Sequence, residues 1–215
     1  MLRSLKQLYG EKLGATDGEI GTVKDFYFDD QNWAVRYLVA DTGTWLTSRK
    51  VLISTHSLAG PVASGKVIGV DLTRKKIEKS PAIGSQNPVL RQDEEQYYKY
   101  YGWPPYWTNQ ATNMVGPQPR LETHLHSTQA VNGYLVRLGE ETIGHVCDFM
   151  VDAEDWTIGQ LVVKTGHRFS GTDTLIPIKQ VERISYDEST VFAYPSMEAS
   201  EKSPANNLVP AGIIL

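Results

Sequence analysis

Residues 20–43 read IGTVKDFYFDDQNWAVRYLVADTG and residues 143–166 read IGHVCDFMVDAEDWTIGQLVVKTG, agreeing without a gap at 11 of 24 positions. Ile20, Gly21, Val23, Asp25, Phe26, Asp29, Trp33 and Leu38 all recur 123 residues later. The same offset lays Leu2, Ser4 and Gly10 over Leu125, Ser127 and Gly133, and EKSPA at 78–82 over EKSPA at 201–205. Two copies of about 80 residues point to duplicated domains rather than a solenoid, whose units are shorter and number three or more. Within a copy the apolar residues alternate. Ile20, Thr22, Lys24, Phe26 and Phe28 fall on one face of a strand, with Gly21, Val23, Asp25 and Tyr27 on the other. Trp33, Val35, Tyr37 and Val39 continue the period of two beyond Asp29-Asp30-Gln31-Asn32, a tight-turn composition that predicts a hairpin. Asp152-Ala153-Glu154-Asp155 predicts its repeat.

Further strands are expected at 44–46, 51–54 and 67–72, with counterparts at 167–169, 174–178 and 190–194. Five or six short strands per copy suggest a mainly β chain of two small barrels. Domains of this size bury little of their surface alone, so contact between the copies, or between chains in a homo-oligomer, would help them. The expected division is a first barrel at 1–84, a linker at 85–121, a second barrel at 122–205 and a tail at 206–215. In the linker, Asn87-Pro88 suits a helix start and Gly102 with Pro104 a stop, giving a helix over about 88–101. Arg91/Glu95 and Glu95/Lys99 stand four apart, and Leu90, Glu94, Tyr97 and Tyr101 form a stripe with Tyr98 beside it. Tyr97, Tyr98, Tyr101, Trp103, Tyr106 and Trp107 make too large an aromatic patch to stand in water, so they dock on a barrel or on a partner. The apolar run LVPAGIIL at 208–215 poses the same choice on a smaller scale.

The motifs IGTVKDFYFD, VRYLV and KVLIS, followed by VDLTRKKIEKSP, resemble a PRC-barrel domain, the family named after the cytoplasmic domain of the photosynthetic reaction centre H subunit. The first copy supplies Gly21, Thr22, Val23 and Asp25, then Arg36, Tyr37 and Leu38, then Val51, Leu52 and Ile53, with Ser54 in place of the usual proline. The second copy keeps Gly144, Val146 and Asp148 and has Leu175, Ile176 and Pro177, but carries Gly159 and Gln160 where the Arg-Tyr pair stands. YYKYYGWPPYW is similar to the tyrosine-rich tail of stand-alone bacterial members. The resemblance implies a docking module without catalytic residues or cofactor: one member caps a membrane complex, and another ends the 16S rRNA processing protein.

The 215 residues include 21 basic and 25 acidic side chains, for a net charge of −4, with 40% hydrophobic residues. That balance argues against bulk nucleic-acid binding. No run is long and apolar enough to span a bilayer, which suggests a cytoplasmic protein and leaves peripheral membrane contact open. A single cysteine, Cys147, excludes an intrachain disulfide and a cysteine-rich zinc site, and reads as a small buried thiol.

Arg74, Lys75 and Lys76, with Lys66 and Lys79 nearby, form the one basic cluster, absent from the second copy and hence a candidate partner surface beside the aromatic run. His124, His126 and His145 are the candidate metal ligands of an alternative reading, a small-molecule or metal sensor using the cleft between barrels. The recurring Asp25 and Asp148 suit a loop anchor better than acid-base chemistry, and Gly21 and Gly144 suit a close strand approach.

Overall fold

The structure is a computed structural model that describes residues 1–46, 50–60, 67–81, 91–107, 125–166 and 171–195. The chain runs through β1 (Leu2–Ser4), β2 (Lys12–Ala15), β3 (Gly18–Asp29), β4 (Ala34–Asp41), β5 (Lys50–Ser54) and β6 (Ile68–Gly69). Helices α1 (Arg74–Glu78) and α2 (Arg91–Tyr101) follow, then β7 (Leu125–Ser127) and α3 (Thr128–Val131). The last strands are β8 (Leu135–Leu138), β9 (Glu141–Asp152), β10 (Ile158–Thr165), β11 (Thr172–Pro177), β12 (Val181–Ser185) and β13 (Thr190–Ala193).

Two sheets result, and the protein is mainly β. One has the order β5-β4-β3-β2-β6 and the other β11-β10-β9-β8-β13-β12. Two short strands complete them by crossing over: β7 pairs with β3 and β1 pairs with β9. Tyr27 faces Ser127 and Met150 faces Ser4, so each contact repeats the other at the offset of 123. The tips of the two hairpins also meet. Val35 N–H donates to Trp156 O at 2.9 Å and Ile158 N–H to Trp33 O at 2.6 Å, around an Ala34–Thr157 bridge. Both tryptophans hold a left-handed backbone, with φ of 50° and 64°, a conformation a bulky side chain adopts only when its surroundings fix it.

The hairpin turns form as expected. Gln31 and Asn32 donate backbone N–H groups to Asp29 Oδ1, and Glu154 does the same to Asp152 Oδ1. The simple alternation of β3 does not hold, because bulges fall between Val23 and Asp25 and between Tyr27 and Phe28. An extra residue in one strand turns its neighbours over. Ile20, Val23, Phe26 and Phe28 are therefore the buried set, while Thr22 is half-buried and Lys24 exposed. Gly21 and Gly144 do allow close approach: a Cβ there would lie 2.0 Å from Asp41 O and 2.1 Å from Lys164 O.

Residues 43–46 form a 3-10 turn rather than the expected strand, since Gly43 takes φ 56° and its N–H is captured by Asp41 Oδ1 at 3.0 Å. The strand expected at 67–72 shortens to β6, limited by its parallel pairing with β2 at Leu13 and Gly14. β1, β2, β8 and β12 fall outside the strands expected from the sequence, and the strand expected at 167–169 lies outside the described residues. Neither sheet closes on itself among the described residues. The hydrophobic core is nevertheless continuous across both. Phe28 meets Phe149 at 5.4 Å between ring centroids, and Phe26 meets Trp156 at 6.1 Å.

Candidate interaction site

The site is built on the face of the first sheet that points away from this core. Leu38 and Ile53 face inward and are fully buried, so Tyr37, Val39, Leu52 and Ser54, next to them in register, point outward. That outward face is covered by α2. Tyr97 lies edge-on to Tyr37 and donates its hydroxyl to Leu52 O, and Tyr98 meets Tyr37 from the other side. The Glu94 carboxylate, buried between them, accepts hydrogen bonds from Tyr37 OH and Tyr106 OH, each at 2.9 Å. Arg36 completes the clamp, pairing with Asp29 Oδ2 at 3.0 Å while its guanidinium stacks 4.0 Å above the Tyr106 ring. Gly102, with φ 77°, ends the helix by donating its N–H to Tyr98 O, and Trp103 folds back to stack on Tyr101 at 4.3 Å.

The aromatic run thus packs on its own chain. Tyr97, Tyr98 and Tyr101 are buried there, whereas Trp103, Tyr106 and Trp107 are half-buried and keep one side toward solvent. Of the stripe, Glu94, Tyr97 and Tyr101 face inward with Tyr98, while Leu90 and the Asn87-Pro88 start lie outside the described residues. Gly159 and Gln160 replace Arg36 and Tyr37 in the second sheet, so the clamp exists only on the first. Replacing Tyr37 by phenylalanine removes one of the two phenolic donors to Glu94 while keeping the ring. It is expected to cost about 1–2 kcal/mol in urea unfolding, and a change below the error of the fit would show that the hydrogen bond does not hold the helix.

Burial, and then the Glu94 carboxylate, push the Tyr37 hydroxyl well above its usual value near 10, and burial likewise raises Tyr98. The unfolded chain loses these protons first. The folded state therefore keeps its full stability below about pH 10 and loses it as the pH climbs toward the raised folded values. Tyrosinate absorbance read beside near-ultraviolet circular dichroism is expected to show the buried tyrosines ionising only as the fold opens. Smooth ionisation with the dichroism intact would contradict this.

The basic cluster joins the aromatic segment. Tyr100 OH donates to Lys76 O at 2.8 Å, the last turn of α1 thereby touching α2, and Lys76 Nζ lies 5.6 Å from the Tyr101 ring centroid. Thr73 caps α1 through Lys76 N–H, Arg74 N–H donates to Asp17 Oδ1 at 2.6 Å, and Ile77 anchors the helix in the core. Lys75 and Lys76 on α1, Lys79 at its C-cap and Lys99 on α2 stand exposed, and an open groove of about 700 Å3 is lined by Asp17, Leu46, Arg74, Lys75, Glu78 and Lys79. Lys66 lies outside the described residues. Two candidate surfaces in the sequence are in this way one cationic and aromatic surface in the fold.

The histidines are placed differently. His126, on β7, directs Nε2 to Asp30 Oδ2 at 3.2 Å and stacks on Tyr186 at 3.6 Å, and Tyr186 OH donates to the same oxygen at 2.9 Å. This pins the turn of the first sheet to the second. His145 sits on β9 in the other sheet, and His124 lies outside the described residues. Cys147 is half-buried rather than buried, at the bulge of β9 that matches Lys24, and burial raises its thiol.

The recurring aspartates carry the least expected geometry. Asp25 accepts from Phe26 N–H at 2.7 Å and from three groups of the other segment: Ser127 Oγ, Thr128 Oγ1 at 3.0 Å and Gln129 N–H at 3.2 Å. Asp148 accepts from Phe149 N–H, Ser4 Oγ and Lys6 N–H. Each carboxylate anchors the turn that follows the other segment's crossing strand.

Residues 5–77, from the end of β1 to α1, match the family model described as PRC-barrel domain. This part of the chain is a PRC-barrel domain. No curated protein matches the chain. The matched span holds β2 to β6 and thus the whole outward face that receives α2, while β7, the strand that finishes the same sheet, comes from beyond it. Among the described residues no helix is long and apolar enough to cross a membrane.

Proposed function

We propose that the chain is a tandem PRC-barrel protein that acts as a non-catalytic docking or assembly module in the cytoplasm, with residues 122–205 as a second barrel-type domain. The observation that carries this reading is the pair Asp25 and Asp148, whose carboxylates are engaged reciprocally in joining the two segments rather than turned toward a cleft. The recurrence of β2 to β5 as β8 to β11, and of the crossing strands, at one offset supports the duplication, and with it a likeness to the reaction centre H subunit domain. The docking surface is the joined face of α1 and α2. Exposed Lys75, Lys76, Lys79 and Lys99, with Lys76 over the Tyr101 ring that stacks on half-buried Trp103, suit an acidic protein partner that inserts apolar side chains.

The test compares the intact protein with the triple variant Lys75→Glu, Lys76→Glu, Lys79→Glu in pull-downs from native lysate. These side chains are solvated, so the variant folds. An acidic partner recovered by the intact chain at low salt and lost with the variant supports the reading. Recovery of no reproducible partner, or of one indifferent to the three charges, would end it.

A further inference from the structure

Among the described residues, the outward face of the second sheet has no cover like the one that α2 gives the first. Register fixes which residues point there: Ile176 and Leu161 face each other in the core, so Leu175, paired with Val162, and Pro177, paired with Gln160, point outward. Met150 continues the row beside Gln160, and Leu2 crosses Gly159, whose Cβ would lie 3.1 Å from Leu2 Cδ2. These positions match those of the covered face, Leu175 standing for Leu52, Gln160 for Tyr37 and Met150 for Tyr27. Leu52 is 5% exposed, whereas Leu175 is 53% exposed and Leu2 40%. This apolar row, bordered by Lys164 and Asp173 at one end and by Asp148 and Asp152 along β9, leaves Leu175 and Leu2 exposed as a binding face.

We propose that residues 208–215, LVPAGIIL, bind this face as an intramolecular strap. They contain six aliphatic side chains among proline and glycine and no charge, which suits a row made by Leu2, Met150, Val162 and Leu175 and does not suit water. The connection is geometrically ready. β6 and its partner β2 lead through α1 to α2, and β13, placed against β8 as β6 is against β2, leads into residues 194–215. The offset of 123 lays 208–215 over 85–92, the run that enters α2. From Pro195 the intervening chain spans up to about 40 Å, more than the width of a six-stranded sheet. The strap uses aliphatic contact where α2 uses Glu94 and Arg36, because Gln160 and Gly159 offer neither the phenol nor the guanidinium.

The test uses the full chain with a benzophenone amino acid at position 175, irradiated as the purified protein and digested for mass spectrometry. The expected result is a crosslink within one chain to 208–215. A crosslink to a second copy, or to no position in 208–215, overturns the proposal. A second variant, Ile213→Asp with Ile214→Asp, leaves the described fold untouched. Hydrogen exchange of the β11 amides is expected to quicken at least tenfold while β5 is unchanged, and equal rates in variant and parent would count against the strap in the same way.

Discussion

Phe28→Ala is expected to destabilise the protein by about 3–5 kcal/mol and to lower the unfolding of both sheets together. Phe28 is fully buried and belongs to β3, yet its ring touches Trp33 of its own hairpin at 5.7 Å, Phe149 of the second sheet at 5.4 Å and His126 of the crossing strand at 6.1 Å. Removing it opens a cavity against three elements that cannot collapse independently, because β7 and β1 fix the sheets in register. Urea unfolding followed by tyrosine fluorescence, which reports chiefly on the α2 side, and by far-ultraviolet dichroism, which reports on all strands, is expected to give coincident curves in parent and variant alike. Two separated transitions would mean that each sheet keeps its own core and that the shared ring contacts contribute little.

The second large effect is expected from Asp25→Ala, at about 3 kcal/mol. The substitution leaves the Gln129 N–H and the Ser127 hydroxyl without their acceptor, and leaves the Thr128 hydroxyl, which also meets Tyr9 OH at 2.7 Å, only the longer contact with Phe26 O at 3.3 Å. Asp148→Ala is expected to cost less, about 1–2 kcal/mol, because Asp148 is only half-buried and water replaces part of what it loses. Leu5 stands where Thr128 does and Asn132 where Tyr9 does, so neither of those hydroxyls recurs on that side. The midpoint of urea unfolding at constant slope measures the difference. Equal losses at the two positions would show that the network around Tyr9 and Thr128 adds nothing to the carboxylate.

Several of these features can be read from the residues, and the reason some cannot is physical. The hairpins show in the sequence because Asp29 and Asp152 act on residues two or three along, a strictly local interaction. The inward stripe of α2 shows because its period belongs to one helix. Its destination does not, since that depends on Tyr37 and Leu52, about forty to sixty residues away. Arg36-Tyr37 stands out as a motif, but its role as the clamp on Glu94 and Tyr106 follows only from the folded geometry. The alternation of β3 misleads at Lys24 because a bulge has no clear signature in side-chain polarity. Strand exchange is the hardest feature to foresee. Leu2–Ser4 and Leu125–Ser127 are similar three-residue segments facing similar partners, so composition cannot distinguish pairing within a copy from pairing across copies.

The crossing strands set an order on the ribosome. β3 emerges early, but the strand that completes its far half is translated about a hundred residues later, and β1 waits longer still for β9. At about 5–20 residues per second the first sheet spends roughly 5–20 s with that edge unpaired. On a crowded message two nascent chains can satisfy the same edges with each other's strands, and the product would be an entangled pair held by native contacts throughout. Slow elongation between residues 29 and 127 should favour such pairs.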